Sequence, residues 1–154
     1  MESRADPRSR LLPPAVYFGA TFVGIGVHRV WPIGLFPQPV GRWIGWALIA
    51  CAVLLAAIAV ALFHRAGTPP NPTREVTAFV RSGPYRLTRN PMYVGLTLFQ
   101  AGLAFALDDA WVLILLVFSF AVMDRIVVPG EERYMASRYG ADYAAYRARV
   151  RRWL

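Results

Sequence analysis

The segment Trp43-Ile-Gly-Trp-Ala-Leu-Ile-Ala-Cys-Ala-Val-Leu-Leu-Ala-Ala-Ile-Ala-Val-Ala-Leu-Phe63 runs for 21 residues without a charge. As a helix rising about 1.5 Å per residue, it covers the roughly 30 Å hydrocarbon core of a bilayer. It is apolar on every side, and a soluble domain of 154 residues has too little other surface to bury such a helix all round. The segment therefore reads as a membrane span. Cys51, the single cysteine, lies inside it and reads as a packing residue, since it has no partner for an intrachain disulfide.

The composition around this segment agrees. Hydrophobic residues make up 56% of the chain and charged residues 17%, against about 25% charged in soluble domains. The net charge is +8, and all 17 basic residues are arginine. Such a balance suits nucleic acid or anionic lipid headgroups; beside long apolar runs the headgroups are the simpler partner, and no nucleic-acid role is expected. The length fits one domain over residues 1–154. The Arg-rich start at Arg4, Arg8 and Arg10 is followed by no small-x-small cleavage site, so the first apolar segment is expected to be retained.

Three further spans are expected. The first runs from about Pro14 to Trp31, diluted by Gly19, Gly24 and Gly26 and closed by His28 and Arg29. Pro32 to Gly41 is too rich in proline and glycine for a helix and reads as a short outer loop between the interface anchors Trp31 and Trp43. The third span runs from about Met92 to Leu107, short for a crossing, and Asp108-Asp109 makes a tight turn into the fourth, Ala110 to Val128. Pro129-Gly130 is expected to break that helix before a last amphipathic helix from about Glu131 to Arg151. The expected fold is all-α: a polytopic integral membrane protein with four transmembrane helices and a C-terminal amphipathic cytoplasmic helix.

Arginine bias orients it. Arg65, Arg74, Arg81, Arg86 and Arg89 stand against Glu75 in the 64–91 loop, and six arginines follow Pro129, whereas Arg29 and Arg42 are the ones near the first turn. Both termini and the long loop are thus expected in the cytoplasm. The third and fourth spans then form a hairpin with almost no linker, which brings Arg89 and Glu131 to its cytoplasmic base.

Two polar clusters sit at that base. In Arg89-Asn90-Pro91-Met92-Tyr93, Pro91 suits the first turn of a helix, Asn90 is expected to cap it, and Arg89 offers a planar fork for a carboxylate or phosphate. The same residues serve equally as an interfacial cap with a lipid-phosphate arginine and a belt tyrosine. Glu131-Glu132 opens a helix, where acids favour the N-terminus. The pair also suits a ligand's ammonium or ribose hydroxyls; the two side chains point about 100° apart, so one is free for ligand when the other takes an arginine. Asp124, inside the fourth span, is expected to pair with a group from another segment rather than with Arg125. The last helix carries Tyr139, Tyr143 and Tyr146 along one face, which either lies on the inner leaflet or closes a pocket against residues 83–93. His28 and His64 fall on opposite faces of the membrane, so no metal site is expected.

These clusters resemble the isoprenylcysteine carboxyl methyltransferase and phospholipid methyltransferase family of integral-membrane methyltransferases. That family has Gly-x-Tyr, then Arg-His-Pro-x-Tyr-x-Gly, then Glu-Glu, then a Tyr/Phe-Gly-x-x-Tyr-x-x-Tyr tail. Here stand Gly83-Pro84-Tyr85, Arg89-Asn90-Pro91-Met92-Tyr93-Val94-Gly95, Glu131-Glu132 and Tyr139-Gly140-Ala141-Asp142-Tyr143-Ala144-Ala145-Tyr146. Asn90 replaces the usual histidine, which removes a group able to carry a proton. The resemblance covers about residues 67–152. It implies S-adenosylmethionine as cofactor, held by Tyr85, Arg89, Asn90, Pro91 and Tyr93 on one side and by Glu131, Glu132, Tyr143 and Tyr146 on the other. It also implies a lipophilic acceptor entering from the membrane, such as a prenylcysteine carboxylate or a lipid amine. The setting it suggests is a bacterial inner membrane.

Methyl transfer from a sulfonium needs alignment and exclusion of water above all. A carboxylate acceptor needs a positioning cation, for which Arg89 or Arg133 is a candidate. An amine acceptor must first lose a proton, to Glu131 or Glu132. Arg89, Glu131 and Glu132 are accordingly the candidate catalytic residues. The rival reading is a small scaffold or lipid-binding protein without enzymatic activity.

Overall fold

The computed structural model describes residues 12–67 and 78–154. The expectations placed on Arg4, Arg8, Arg10, Arg74 and Glu75 lie outside the described residues. The described chain is all-α: α1 (Pro13–Val30), α2 (Val40–Arg65), α3 (Pro91–Leu107), α4 (Ala110–Val122) and α5 (Val128–Arg149). A single 3-10 turn, Gly83–Arg86, precedes α3, and a π-helical turn, Met123–Val127, joins α4 to α5.

The expectation of four spans is corrected. Among the described residues two helices are long and apolar enough to cross a bilayer: α2, and the continuous helical stretch Ala110–Arg149. α1 has 18 residues, but Thr21, three glycines, His28 and Arg29 dilute its apolarity. α3 is strongly apolar but has 17 residues, about 26 Å of helix, which falls short of the hydrocarbon core. Both instead serve as packing partners, α3 laid along α2 and α1 along α4.

A second correction concerns Pro129-Gly130, which does not break the helix. Proline lacks an N–H and would leave a carbonyl one turn earlier unpaired. Here the π turn shifts the ladder by one residue: the Val128 N–H donates to Met123 O. In that register the carbonyl facing Pro129 belongs to Asp124, and Arg152 Nη1 approaches it at 3.5 Å. The polar last helix is therefore continuous with the apolar one, and its own bend comes at Gly140, where φ is 47°.

Close backbone approach locks α2 to α3. A Cβ on Gly45 would stand 2.7 Å from Gly102 O, and one on Gly102 would stand 2.8 Å from Gly45 O and 2.7 Å from Ile49 Cγ1. Small residues at a helix crossing permit this contact in place of a wider, side-chain-filled one. At one end of the bundle, Asp108 takes a left-handed conformation (φ 56°) and its carboxylate accepts from the N–H groups of Leu35 (2.7 Å) and Phe36 (3.1 Å). Asp109 caps α4 through the N–H groups of Trp111 (2.9 Å) and Val112 (3.1 Å). This two-residue turn makes α3 and α4 antiparallel neighbours and sends the start of α3 and the end of the π turn to the opposite end.

Gly102→Ala is expected to cost about 1–3 kcal/mol by overpacking. Gly26→Ala, where nothing lies within 4 Å of the added carbon, should be neutral or stabilising by about 0.5–1 kcal/mol. Thermal unfolding of the two purified variants in one detergent checks the contrast; equal behaviour would contradict the close crossing.

Candidate functional site

The end of the bundle opposite the Asp108-Asp109 turn gathers four segments. Gly83 takes φ 59°, which lets the 3-10 turn bring Tyr85 inward, edge-on to Phe63 of α2 at 5.7 Å. The buried Tyr146 hydroxyl donates to Tyr85 O at 2.6 Å and ties α5 to this turn. Past α5 the chain doubles back: Arg89 N donates to Arg151 O (2.9 Å), and Thr88 Oγ1 (2.9 Å) and Asn90 Nδ2 (3.0 Å) both donate to Arg152 O. Asn90 therefore does not cap α3, which has no side-chain cap. Its amide is used to hold the C-terminal strap, because the strap offers a fixed carbonyl.

The strap delivers Arg152 and Trp153 to an acidic cluster. Arg152 forks onto Glu132, with Nη2 to Oε2 at 2.7 Å and Nε to Oε1 at 3.1 Å. Its Nη1 reaches Asp124 Oδ1 at 3.1 Å, and the Trp153 indole donates to the same oxygen at 2.9 Å. Asp124 thus finds partners from another segment, as its position required. Arg125 also approaches it, at 3.3 Å, from a largely exposed position.

Arg89 lies on the other side of Glu132, its Nη1 2.9 Å from Oε1. That contact is an ion pair outside hydrogen-bonding alignment, so Nε and Nη1 of this buried guanidinium have no hydrogen-bond acceptor among the described residues. Arg89 also opposes the rise that burial imposes on the Tyr143 hydroxyl. Glu131 points elsewhere, and its carboxylate accepts a short hydrogen bond from the Tyr93 hydroxyl. The adjacent glutamates thus divide, one to the arginines and one to a tyrosine, as residues about 100° apart on a helix must.

Arg89, Asn90, the two glutamates and the tyrosines, but not Arg152, Trp153 or Asp124, border one cavity of about 640 Å³, within the range of small-molecule sites. Tyr85, Arg89, Asn90, Pro91, Tyr93, Glu131, Glu132, Tyr143 and Tyr146 all line it, whereas Arg133, the other candidate cation named from the sequence, does not. Apolar walls continue it along the helices, from Pro13 and Phe18 on α1, Val53 and Val60 on α2, and Leu96 and Phe99 on α3. Phe79 adds an aromatic floor, stacked on Tyr139 at 5.0 Å and edge-on to Tyr146 at 5.2 Å.

Burial in this cavity is the main cause that pushes the Glu131 carboxyl from 4.5 up to about 7; the Tyr93 hydrogen bond opposes it and Glu132 reinforces it. Glu131 stands 21 residues beyond Ala110, about 31 Å along the helix and past its apolar part. Burial likewise pushes Tyr146 up to about 12 and raises Tyr143 and Tyr85, so these phenols remain neutral donors near pH 7. The cavity therefore offers a guanidinium with open donors, a carboxyl poised near neutrality, aromatic faces and a long apolar wall.

Sequence reasoning missed Arg152, Trp153, Phe79 and the α1 wall. Arg152 belonged to an arginine-rich tail that read as a headgroup contact, and no local signal marks the return of that tail to residue 88. The π turn was likewise invisible, although Pro129 within an apolar run marks where a helical ladder must adjust.

No solved structure matches the chain. The cobalt-zinc-cadmium resistance protein CzcN of Cupriavidus metallidurans is 36% identical over 77 residues, covering 50% of this chain and 35% of CzcN. The chain thus spans about a third of the length of that curated relative. The model of a family described as phospholipid methyltransferase matches residues 40–142, from the start of α2 into α5. Together with the two apolar helices, this match places the protein in a membrane: the chain belongs to the phospholipid methyltransferase family.

Proposed function

We propose that the protein transfers a methyl group from S-adenosylmethionine to a lipophilic acceptor that reaches the cavity from the bilayer. The observation that carries this reading is the buried Arg89 guanidinium, with Nε and Nη1 lacking hydrogen-bond acceptors among the described residues, in the same cavity as Glu131 and the tyrosines. An α-amino-acid carboxylate suits those open donors, and carboxylate and aromatic groups suit the ammonium, sulfonium and adenosine parts. Bound there, the cofactor supplies an activated methyl group. Tyr85, Arg89, Asn90, Pro91 and Tyr93 form one side of the site, and Glu131, Glu132, Tyr143 and Tyr146 the other. The apolar wall along α1, α2 and α3 takes the acceptor's hydrocarbon and excludes water.

Of the two acceptor classes, a lipid amine has more support than a prenylcysteine carboxylate. Glu132 is engaged by Arg89 and Arg152, whereas Glu131 carries a carboxyl raised to about 7, matched to accepting a proton from an ammonium near neutral pH. Arg89, already committed to the cofactor, has less to offer a carboxylate acceptor. The polar end of the bundle faces the cytoplasm, because Arg65, Arg81, Arg86, Arg133, Arg147 and Arg149 cluster there while Arg29 and Arg42 lie towards the other end.

Calorimetry on folded, detergent-solubilised protein is expected to show saturable binding of S-adenosylmethionine. Absence of binding would favour the scaffold reading. Arg89→Gln is expected to weaken that binding about tenfold or more, the loss of a charge-assisted hydrogen bond. In methyl-transfer assays with labelled cofactor and lipid amines, Glu131→Gln is expected to lower turnover at saturating cofactor about 10²–10⁴-fold; wild-type turnover in this variant would remove Glu131 from the mechanism. The wild-type rate should rise with pH through about 7 rather than through 4.5.

The same raised carboxyl bears on stability. Between 4.5 and about 7 the folded state holds a proton on Glu131 that the unfolded chain has lost, so this group makes stability fall as pH rises through that window and level off above it. Unfolding of Glu131→Gln measured across the window should lack that component of the slope.

A further inference from the structure

We infer that Arg152, which touches no part of the cavity itself, is a positioning residue that keeps Arg89 available to an anionic ligand by holding Glu132 away from it. This rests on the reading of the cavity as an S-adenosylmethionine site. Glu132 stands between two guanidinium groups. Arg152 occupies Oε2 fully and shares Oε1, at 2.7 and 3.1 Å, in the two-point geometry that carboxylates and guanidinium groups favour. Glu132 gives Arg89 a single, misaligned contact at 2.9 Å, which is why its Nε and Nη1 remain, among the described residues, without acceptors in a buried position. Glu132 and Arg89 line the cavity and Arg152 does not.

Arg152 is held in place independently of Glu132. Its carbonyl accepts from Thr88 and Asn90, its Nη1 is fixed by Asp124, and its neighbour Trp153 donates to Asp124 and packs on Phe120 at 4.8 Å. Removing the Arg152 guanidinium frees both oxygens of Glu132. The nearest cation is then Arg89, and a fork between the two would consume the donors that face the cavity. The strap beyond α5 thus sets how much of Arg89 a ligand finds free, although residues 150–154 lie past the family match, which ends at 142.

The test is equilibrium binding to purified full-length protein, by calorimetry, alongside thermal unfolding. Arg152→Gln is expected to weaken S-adenosylmethionine binding about tenfold, the loss of a charge-assisted hydrogen bond. Binding of decarboxylated S-adenosylmethionine, which lacks the carboxylate, should change little. In a Glu132→Gln background, where no carboxylate can close on Arg89, adding Arg152→Gln should cost no further affinity. Equal binding by wild type and Arg152→Gln would overturn the inference, and so would equal losses for both ligands or additive losses in the double variant, which signal a merely structural role. If Arg152→Gln fails to fold, Arg152→Lys, which holds one carboxylate oxygen but cannot fork, serves in its place, with a smaller loss confined to the carboxylate-bearing ligand. Wild-type protein that binds neither ligand overturns the proposed function and this inference with it.

Discussion

One carboxylate shared by two guanidinium groups organises the polar end of this protein. Glu132 is largely withdrawn from solvent, with Arg89 on one side and Arg152 on the other. Burying charge is costly unless each group is paired and hydrogen-bonded. That demand explains why the chain doubles back after α5, why Thr88 and Asn90 spend their side chains on a backbone carbonyl, and why Asp124 is reached from a residue 28 positions away. The site is a by-product of that arrangement, because with one carboxylate between two arginines, the guanidinium that is not forked keeps open donors.

The apolar half of the molecule obeys a different constraint. Where lipid replaces water, helices gain nothing by hiding apolar surface from one another, so they associate through close contact. Gly45 and Gly102 provide it between α2 and α3, and Gly24 approaches the Val112 backbone between α1 and α4. These crossings set the spacing at which the starts of α1 and α3 and the end of α2 meet. The cavity lies there, walled by Pro13, Phe63 and Tyr93. Rigid contacts far from the chemistry thus determine the width of the space in which the chemistry would occur.

Much of this was legible in the residues. The chargeless run 43–63 announced α2, the Asp108-Asp109 turn announced the α3–α4 hairpin, and the hairpin brought Arg89 and Glu131 to one base. What was not legible has physical reasons. Apolarity and length are separate properties, and α1 and α3 each have one without the other, so a count based on apolar runs reached four spans where two meet both conditions. Asn90 before Pro91 has the pattern of a cap, but capping is a local preference that yields when a stronger acceptor arrives from far along the chain, here Arg152 O. Pro129 breaks helices in isolation, yet a π turn and one long side chain absorb the missing N–H.

The same reasoning bears on Asn90 as a departure from the histidine usual at that place. A histidine there would bring a group that titrates near neutrality into the site. Asn90 donates to the strap and carries no proton to exchange, so any proton chemistry near pH 7 must fall to another residue. Glu131 is the carboxyl raised to about 7, and it lies across the cavity on α5. On the proposed function, the substitution and the shifted carboxyl belong to one argument: where no histidine titrates at position 90, a buried glutamate whose shift Tyr93 restrains is the group suited to acid–base work near neutral pH.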